Sequence, residues 1–165
     1  MRKGNVIVPA NQVLDRTASD GEYLHRDFHG ALCYAIAYLD REYGPDVTRC
    51  YLQQVARTCY APLIERLSRE GLPALEAHWQ SVFEREGGRF SLAYEGRVLV
   101  LTVQECPAIA HLKARNQLYT ERFCVTTQVV NETICRAAGC DASCAFEPGR
   151  GRCVQRFWRI DEEGP

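Results

Sequence analysis

Nine cysteines and four histidines carry most of the reactive chemistry in this 165-residue chain. His25 and His29 are four apart in His25-Arg26-Asp27-Phe28-His29, so on a helix they stand one turn above each other, and Cys33 extends the stripe. Two neutral imidazoles in that position can grip a divalent metal such as zinc, or one can orient the other for proton transfer near neutral pH. The plainer reading is two half-exposed histidines beside an apolar stripe. Glu105-Cys106-Pro107, with His111 following, sets a thiol at the end of a β-prone run near an imidazole, the pairing that ionises a nucleophile. A buried cysteine before a proline reads equally well. Cys135-x4-Cys140-x3-Cys144-x8-Cys153, with Cys124 upstream, could close a tetrahedral zinc site or hold an iron–sulfur centre. No pair has the Cys-x2-Cys spacing of a zinc knuckle, so scattered structural or redox-active thiols stay open, including a reversible Cys140–Cys144 disulfide. Cys33, Cys50 and Cys59 read as small buried hydrophobes.

Other chemistries lack their signatures. The chain has no glycine-rich phosphate loop, no Gly-x-Ser-x-Gly elbow and no His-Glu-x-x-His. Twenty basic residues against 21 acidic ones give a formal charge of -1, so electrostatics offers no attraction to a nucleic-acid backbone or an anionic membrane. No apolar run approaches the ~20 residues that span a bilayer. The basic start, Met1-Arg2-Lys3, precedes an apolar run far short of an export signal, and the cysteine count is odd. The expectation is a cytoplasmic protein with mostly reduced thiols, acting on a small-molecule substrate or ligand. A homo-oligomer stays open.

The elements that must position these side chains follow from periodicity. Residues 1–18 show neither period and read as an irregular arm; Ser19-Asp20-Gly21-Glu22 has the spacing of a helix-capping box. Leu24, Phe28, Ala31, Leu32, Ala35 and Leu39 then recur at helical intervals until Gly44-Pro45. A second helix capped by Asp46 carries Val47, Leu52, Val55 and Ala56 inward, is kinked or broken at Pro62, and continues through Leu63, Ile64 and Leu67. A third runs from Gly71-Leu72-Pro73 past Trp79 and Phe83 to Gly87-Gly88. Phe90–Tyr94 and Val98–Val103 predict a hairpin through Glu95-Gly96-Arg97, and Cys144–Phe146 with Cys153–Trp158 a second one through Glu147–Gly151. Between them Tyr119–Ala138 has helical spacing, although its Val125–Val130 stretch also suits a strand. The result is a single α+β domain over 1–165, a three-helix N-terminal layer on a small antiparallel sheet built as β-β-α-β-β, with an acidic tail at 160–165. Tyr23, Tyr34, Tyr60 and Trp79 are candidates to line an apolar pocket.

The segments Cys106-Pro107-Ala108-Ile109-Ala110-His111-Leu112-Lys113, Phe123-Cys124, Gly139 and Cys144-Ala145-Phe146 resemble the family of L-2-amino-thiazoline-4-carboxylic acid hydrolases. That resemblance implies a small cytoplasmic enzyme that opens a thiazoline ring by hydrolysis, with Cys106, Cys124 and His111 at positions of interest; the roles of His25 and His29, binding metal or moving protons, rest on their spacing and not on the resemblance. Glu132–Gly139 with Cys144-Ala145-Phe146 also resembles 4-vinyl-reductase-type domains, which implies a metal- or small-ligand-binding or sensing module without catalysis. The enzyme reading needs a hydrolase acting on a cyclic C–N bond with a Cys/His site.

Overall fold

The computed structural model describes residues 26–161. Four helices come first: α1 (Arg26–Tyr43), α2 (Pro45–Cys59), α3 (Ala61–Glu70) and α4 (Leu72–Glu86). The hairpin β1 (Arg89–Glu95) and β2 (Val98–Glu105) follows, then α5 (Pro107–Ala114), α6 (Phe123–Ala137) and the hairpin β3 (Cys140–Glu147) and β4 (Arg152–Arg159). The sheet is wholly antiparallel in the order β1-β2-β4-β3, so the two hairpins meet through their β2 and β4 strands. The fold is α+β, with helices preceding and bridging the hairpins. The capping box and irregular arm expected before Arg26 lie outside the described residues, as do Tyr23, His25 and most of the acidic tail.

Several element boundaries differ from expectation for identifiable reasons. Pro62 does not kink one helix; it occupies the first turn of a new one, where its missing N–H leaves no bond unmade, so the N-terminal layer has four helices. Gly71 joins α3 to α4 at φ 74, a left-handed value that glycine adopts without the Cβ penalty. Asp46 sits in the first turn of α2 but does not cap it, because the cap position falls on Gly44. The helix α5 was not anticipated from the sequence. Pro107 opens it after the extended Cys106, and Ala108, Ile109 and Leu112 are its buried positions. The strand alternative for Val125–Val130 is not adopted: the segment is inside α6, which buries Val129, Val130, Ile134 and Cys135.

Two apolar clusters hold these layers together. The larger joins Ala56, Leu67 and Leu75 from the helices to Leu99, Leu101, Val103, Cys140 and Phe157 on one face of the sheet, with Ile134 and Cys135 of α6 between them. Each fully buried Leu or Phe there contributes about 1.5–3 kcal/mol relative to exposure. The smaller cluster packs Cys33 and Ile36 of α1 against Ile109 and Leu112 of α5 and Phe123 of α6. The buried stripe of α1 therefore runs through Cys33 and Ile36, whereas Phe28, expected inward, is 57% exposed. Cys106 packs against both clusters and marks the seam between them. Among the described residues no helix is long and apolar enough to cross a membrane.

Candidate functional site

A cavity of about 200 Å³ opens at that seam, under the ends of β2, β3 and β4 and between α4 and α6. Strand alternation explains why sulfur gathers there. Cys144 and Phe146 share the inner face of β3 with Cys140 and Ala142, while Cys153, Gln155 and Phe157 share the inner face of β4. The hairpin register sets Cys144 opposite Gln155 and Phe146 opposite Cys153, so Cys144 and Cys153 are diagonal neighbours on the cavity side. Cys106 arrives from the end of β2, its backbone N–H bonded to the Gly151 carbonyl at 2.9 Å. Gly151 takes φ 70 at this end of the β3–β4 turn, a left-handed value that favours glycine. Cys124 comes from the first turn of α6. Tyr119 secures this corner: its hydroxyl accepts the Gly149 N–H at 2.7 Å and hydrogen-bonds Cys124.

The four thiols differ in how readily they ionise. The Cys144 and Cys153 side chains hydrogen-bond one another, and Gln155 Nε2 donates to the Cys153 sulfur at 3.3 Å. Hydrogen bonds to the anion favour it, so Cys153 is brought down to about 7 although burial opposes the change. The shared proton, together with burial, pushes Cys144 far up. Burial likewise raises Cys106, against the backbone amides of Ile109 and Ala108 that pull it down. Cys124 is pushed up to about 11, first by burial and then by the charges of Cys106 and Cys153. Gln155 is in turn held by Asn131, whose Nδ2 donates to Gln155 Oε1 at 2.6 Å. The chain Asn131–Gln155–Cys153–Cys144 thus favours the anion at Cys153 over the other thiols of the cavity.

The residues singled out in the sequence are distributed unevenly around this cavity. Cys106, Cys124 and His29 line it, as do Tyr60 and Trp79 of the four aromatic candidates; Tyr34 is exposed. His29 Nε2 lies 3.6 Å from Glu86 Oε2, with its ring edge-on to Phe123. His111 lines a separate pocket of about 280 Å³ with His29, Glu86 and Glu105, so Cys106 and His111 line different cavities. The set Cys135, Cys140, Cys144 and Cys153 does not assemble as a metal centre: Cys135 and Cys140 are fully buried in the larger cluster, and only Cys144 and Cys153 face the cavity. Among the described residues no three His, Cys, Asp or Glu side chains converge as a metal ion requires. All nine cysteines are free thiols, and the Cys140–Cys144 disulfide that the spacing left open is not formed. Cys33 is a buried hydrophobe as expected, whereas Cys50 is exposed on the face of α2 opposite Thr48, Leu52 and Ala56, and Cys59 is exposed at the last residue of that helix.

The polar partners Gln155 and Asn131 were missed in the sequence. Alternation along Cys153-Val154-Gln155 would have put Gln155 beside Cys153, but nothing local marks Asn131 of α6 as its neighbour. No family model matches the chain, and no curated protein or solved structure is similar to it, so its function is argued from the site.

Proposed function

We propose that the protein is a small-molecule enzyme that opens a cyclic C–N bond of an amino-acid-like heterocycle of the thiazoline type, with Cys153 as nucleophile. The observation that carries this reading is the Cys153 sulfur, hydrogen-bonded by Cys144 and Gln155 inside an apolar cavity. A thiolate there is desolvated, and a proton donor stands beside it. In a 2-amino-thiazoline the C=N carbon is electrophilic. Cys153 adds to it, and the C=N electron pair moves to the ring nitrogen, which takes the Cys144 proton. The exocyclic amino group then supplies the electron pair and the proton that expel the ring nitrogen as an amine. Water attacks the remaining carbon and returns a proton to Cys144; the carbon–Cys153 bond breaks and the thiolate is restored. One water is added across one C–N bond.

Cys106 and Cys124, raised by burial, serve as neutral walls in this scheme, and the exposed Arg152 at the rim offers a partner for a substrate carboxylate. A cytoplasmic location suits it, because reducing conditions keep such thiols free. A binding module without catalysis is the second reading, favoured by the largely apolar lining. Ring opening of 2-amino-thiazoline-4-carboxylate separates the two. The enzyme reading expects turnover that falls at least about a thousandfold in kcat/KM in Cys153→Ala and much less in Cys106→Ala. Turnover unchanged in Cys153→Ala would remove the thiolate from the mechanism, and saturable binding with no turnover in the natural protein would leave the binding module.

A further inference from the structure

The hairpin register brings Cys144 and Cys153 together as diagonal neighbours, and their side chains hydrogen-bond one another. Both are half-buried and line the cavity, so a small molecule inside it meets sulfur directly. The other thiols are placed differently: Cys124 is engaged by the Tyr119 hydroxyl, and Cys140 is fully buried in the larger cluster. The charged groups of the lining stand around the pair. His29 and Glu86 face each other on the α1 and α4 side, and Arg152, which precedes Cys153 in the chain, is exposed at the rim. Glu86 acts on Cys106, and Glu132 of α6 acts on Cys144; both carboxylates hold the proton on those sulfurs. Among the described residues, the Cys153 sulfur has Cys144 and Gln155 as its hydrogen-bond partners, and both favour its anion. One sulfur is thus set up to attack, and a protonated one stands beside it.

We infer that Cys144 and Cys153 form a redox-active dithiol, which hydrogen peroxide closes to a disulfide and a thiol reductant reopens. The Cys153 thiolate attacks one peroxide oxygen and the O–O bond breaks. The other oxygen leaves as hydroxide and takes up the proton that Cys153 released on ionising, which makes water. Cys153 is then a sulfenic acid. The Cys144 sulfur attacks it, the S–O bond breaks, and the departing hydroxide carries off the Cys144 proton as a second water. The two sulfurs lose two electrons and the peroxide gains them. A cavity of about 200 Å³ admits so small an oxidant, and its apolar wall from Leu32, Phe83 and Val130 favours an uncharged one. Diagonal strand partners stand near the ~7 Å limit of Cα separation that a disulfide spans, so the bridge draws the strands together and is readily reduced again. The dithiol goes beyond ring opening; only its consequence, that the bridge removes the nucleophile, rests on the enzyme reading.

The test uses the full chain with Cys50 and Cys59 replaced by serine, which removes the exposed thiols that would couple two molecules. The protein is treated with hydrogen peroxide at a pH of about 7, blocked with N-ethylmaleimide and digested with trypsin without reduction. Cleavage after Arg150 and Arg152 separates the two cysteines, so the bridge appears as a pair of linked peptides, and fragmentation tells Cys144 from Cys140. A Cys144–Cys153 link that dithiothreitol reverses is expected, and it is expected to persist in Cys106→Ala and Cys124→Ala. In Cys144→Ala the linked peptides should be lost, with oxidation halted at a Cys153 sulfenic acid that dimedone traps. Both thiols still alkylated after peroxide, a link from Cys153 to another cysteine, or a Cys153 sulfinic acid beside a free Cys144 overturns the inference. The readout is thiol chemistry and not turnover: a bridge without ring opening sinks the enzyme reading alone, and ring opening without a bridge sinks the dithiol alone.

Discussion

Cys140 and Cys144 lie four residues apart on the same inner face of β3, yet they belong to different environments. Cys140 is fully buried with Cys135, Ile134 and Phe157 in a cluster that reads as dry core. Cys144 is half-buried, faces a cavity and is hydrogen-bonded with Cys153. The difference is made by the opposing surfaces. At the Cys140 end, α6 and the N-terminal helices close on the sheet with aliphatic side chains; at the Cys144 end the wall includes Asn131, Thr126 and Trp79. One end of the sheet face stabilises the fold, and the other leaves room for chemistry.

Truncating the large aromatic at each end should break this comparison most visibly. Phe157→Ala removes a fully buried ring and is expected to cost about 3–5 kcal/mol. Phe146→Ala, at the rim of an existing cavity, is expected to cost only about 1 kcal/mol. Urea denaturation followed by circular dichroism measures both. Equal losses would mean that the cavity end is packed as tightly as the core.

Much of this division can be followed back to residue types. The helical spacing of Leu52, Ala56, Leu63 and Leu67, the two β-prone hairpins and the proline and glycine punctuation are local signals, and they give the α+β class and the core of the larger cluster. What local patterns do not contain is the pairing of β2 with β4, which brings the end of β2 and its Cys106 beside Cys153. Cysteines close in sequence suggested a metal centre, but strand and helix geometry send Cys135 and Cys140 into the core and only Cys144 and Cys153 to the cavity. Phe28 was assigned inward because it is apolar; the stripe that packs is set by which face of α1 meets α5, and that is a tertiary choice.

An intermediate effect is expected in thiol reactivity. With the exposed Cys50 and Cys59 replaced by serine, iodoacetamide should label Cys153 ahead of Cys106 and Cys124, with a rate that rises through pH of about 7. The sign follows from the donors: they favour the anion, so Cys153 loses its proton below the ordinary thiol range, and removing a donor moves the midpoint upward. Gln155→Leu should lower the labelling rate at pH 7 about fivefold, as expected for a rise of one pH unit in a group near its midpoint. Mass spectrometry of the labelled peptides decides this. A profile unchanged by Gln155→Leu would show that the amide does not tune the sulfur.

The smallest expected effects return to the two cysteines of β3. Cys140→Ala leaves a small void in a core with no route for water and is expected to cost about 1 kcal/mol. Cys144→Ala enlarges a cavity that is already there, so its cost in stability should be near zero within the ~0.5 kcal/mol that separates neutral substitutions from destabilising ones. Its consequence is electrostatic. Without the Cys144 S–H, Cys153 keeps only the Gln155 donor, and its labelling midpoint should rise while the melting behaviour of the protein is unchanged. Cys140→Ala should do the reverse, lowering stability and leaving the midpoint in place. If both substitutions moved both quantities together, the sheet face would be one continuous environment, and the separation of core from cavity would fail.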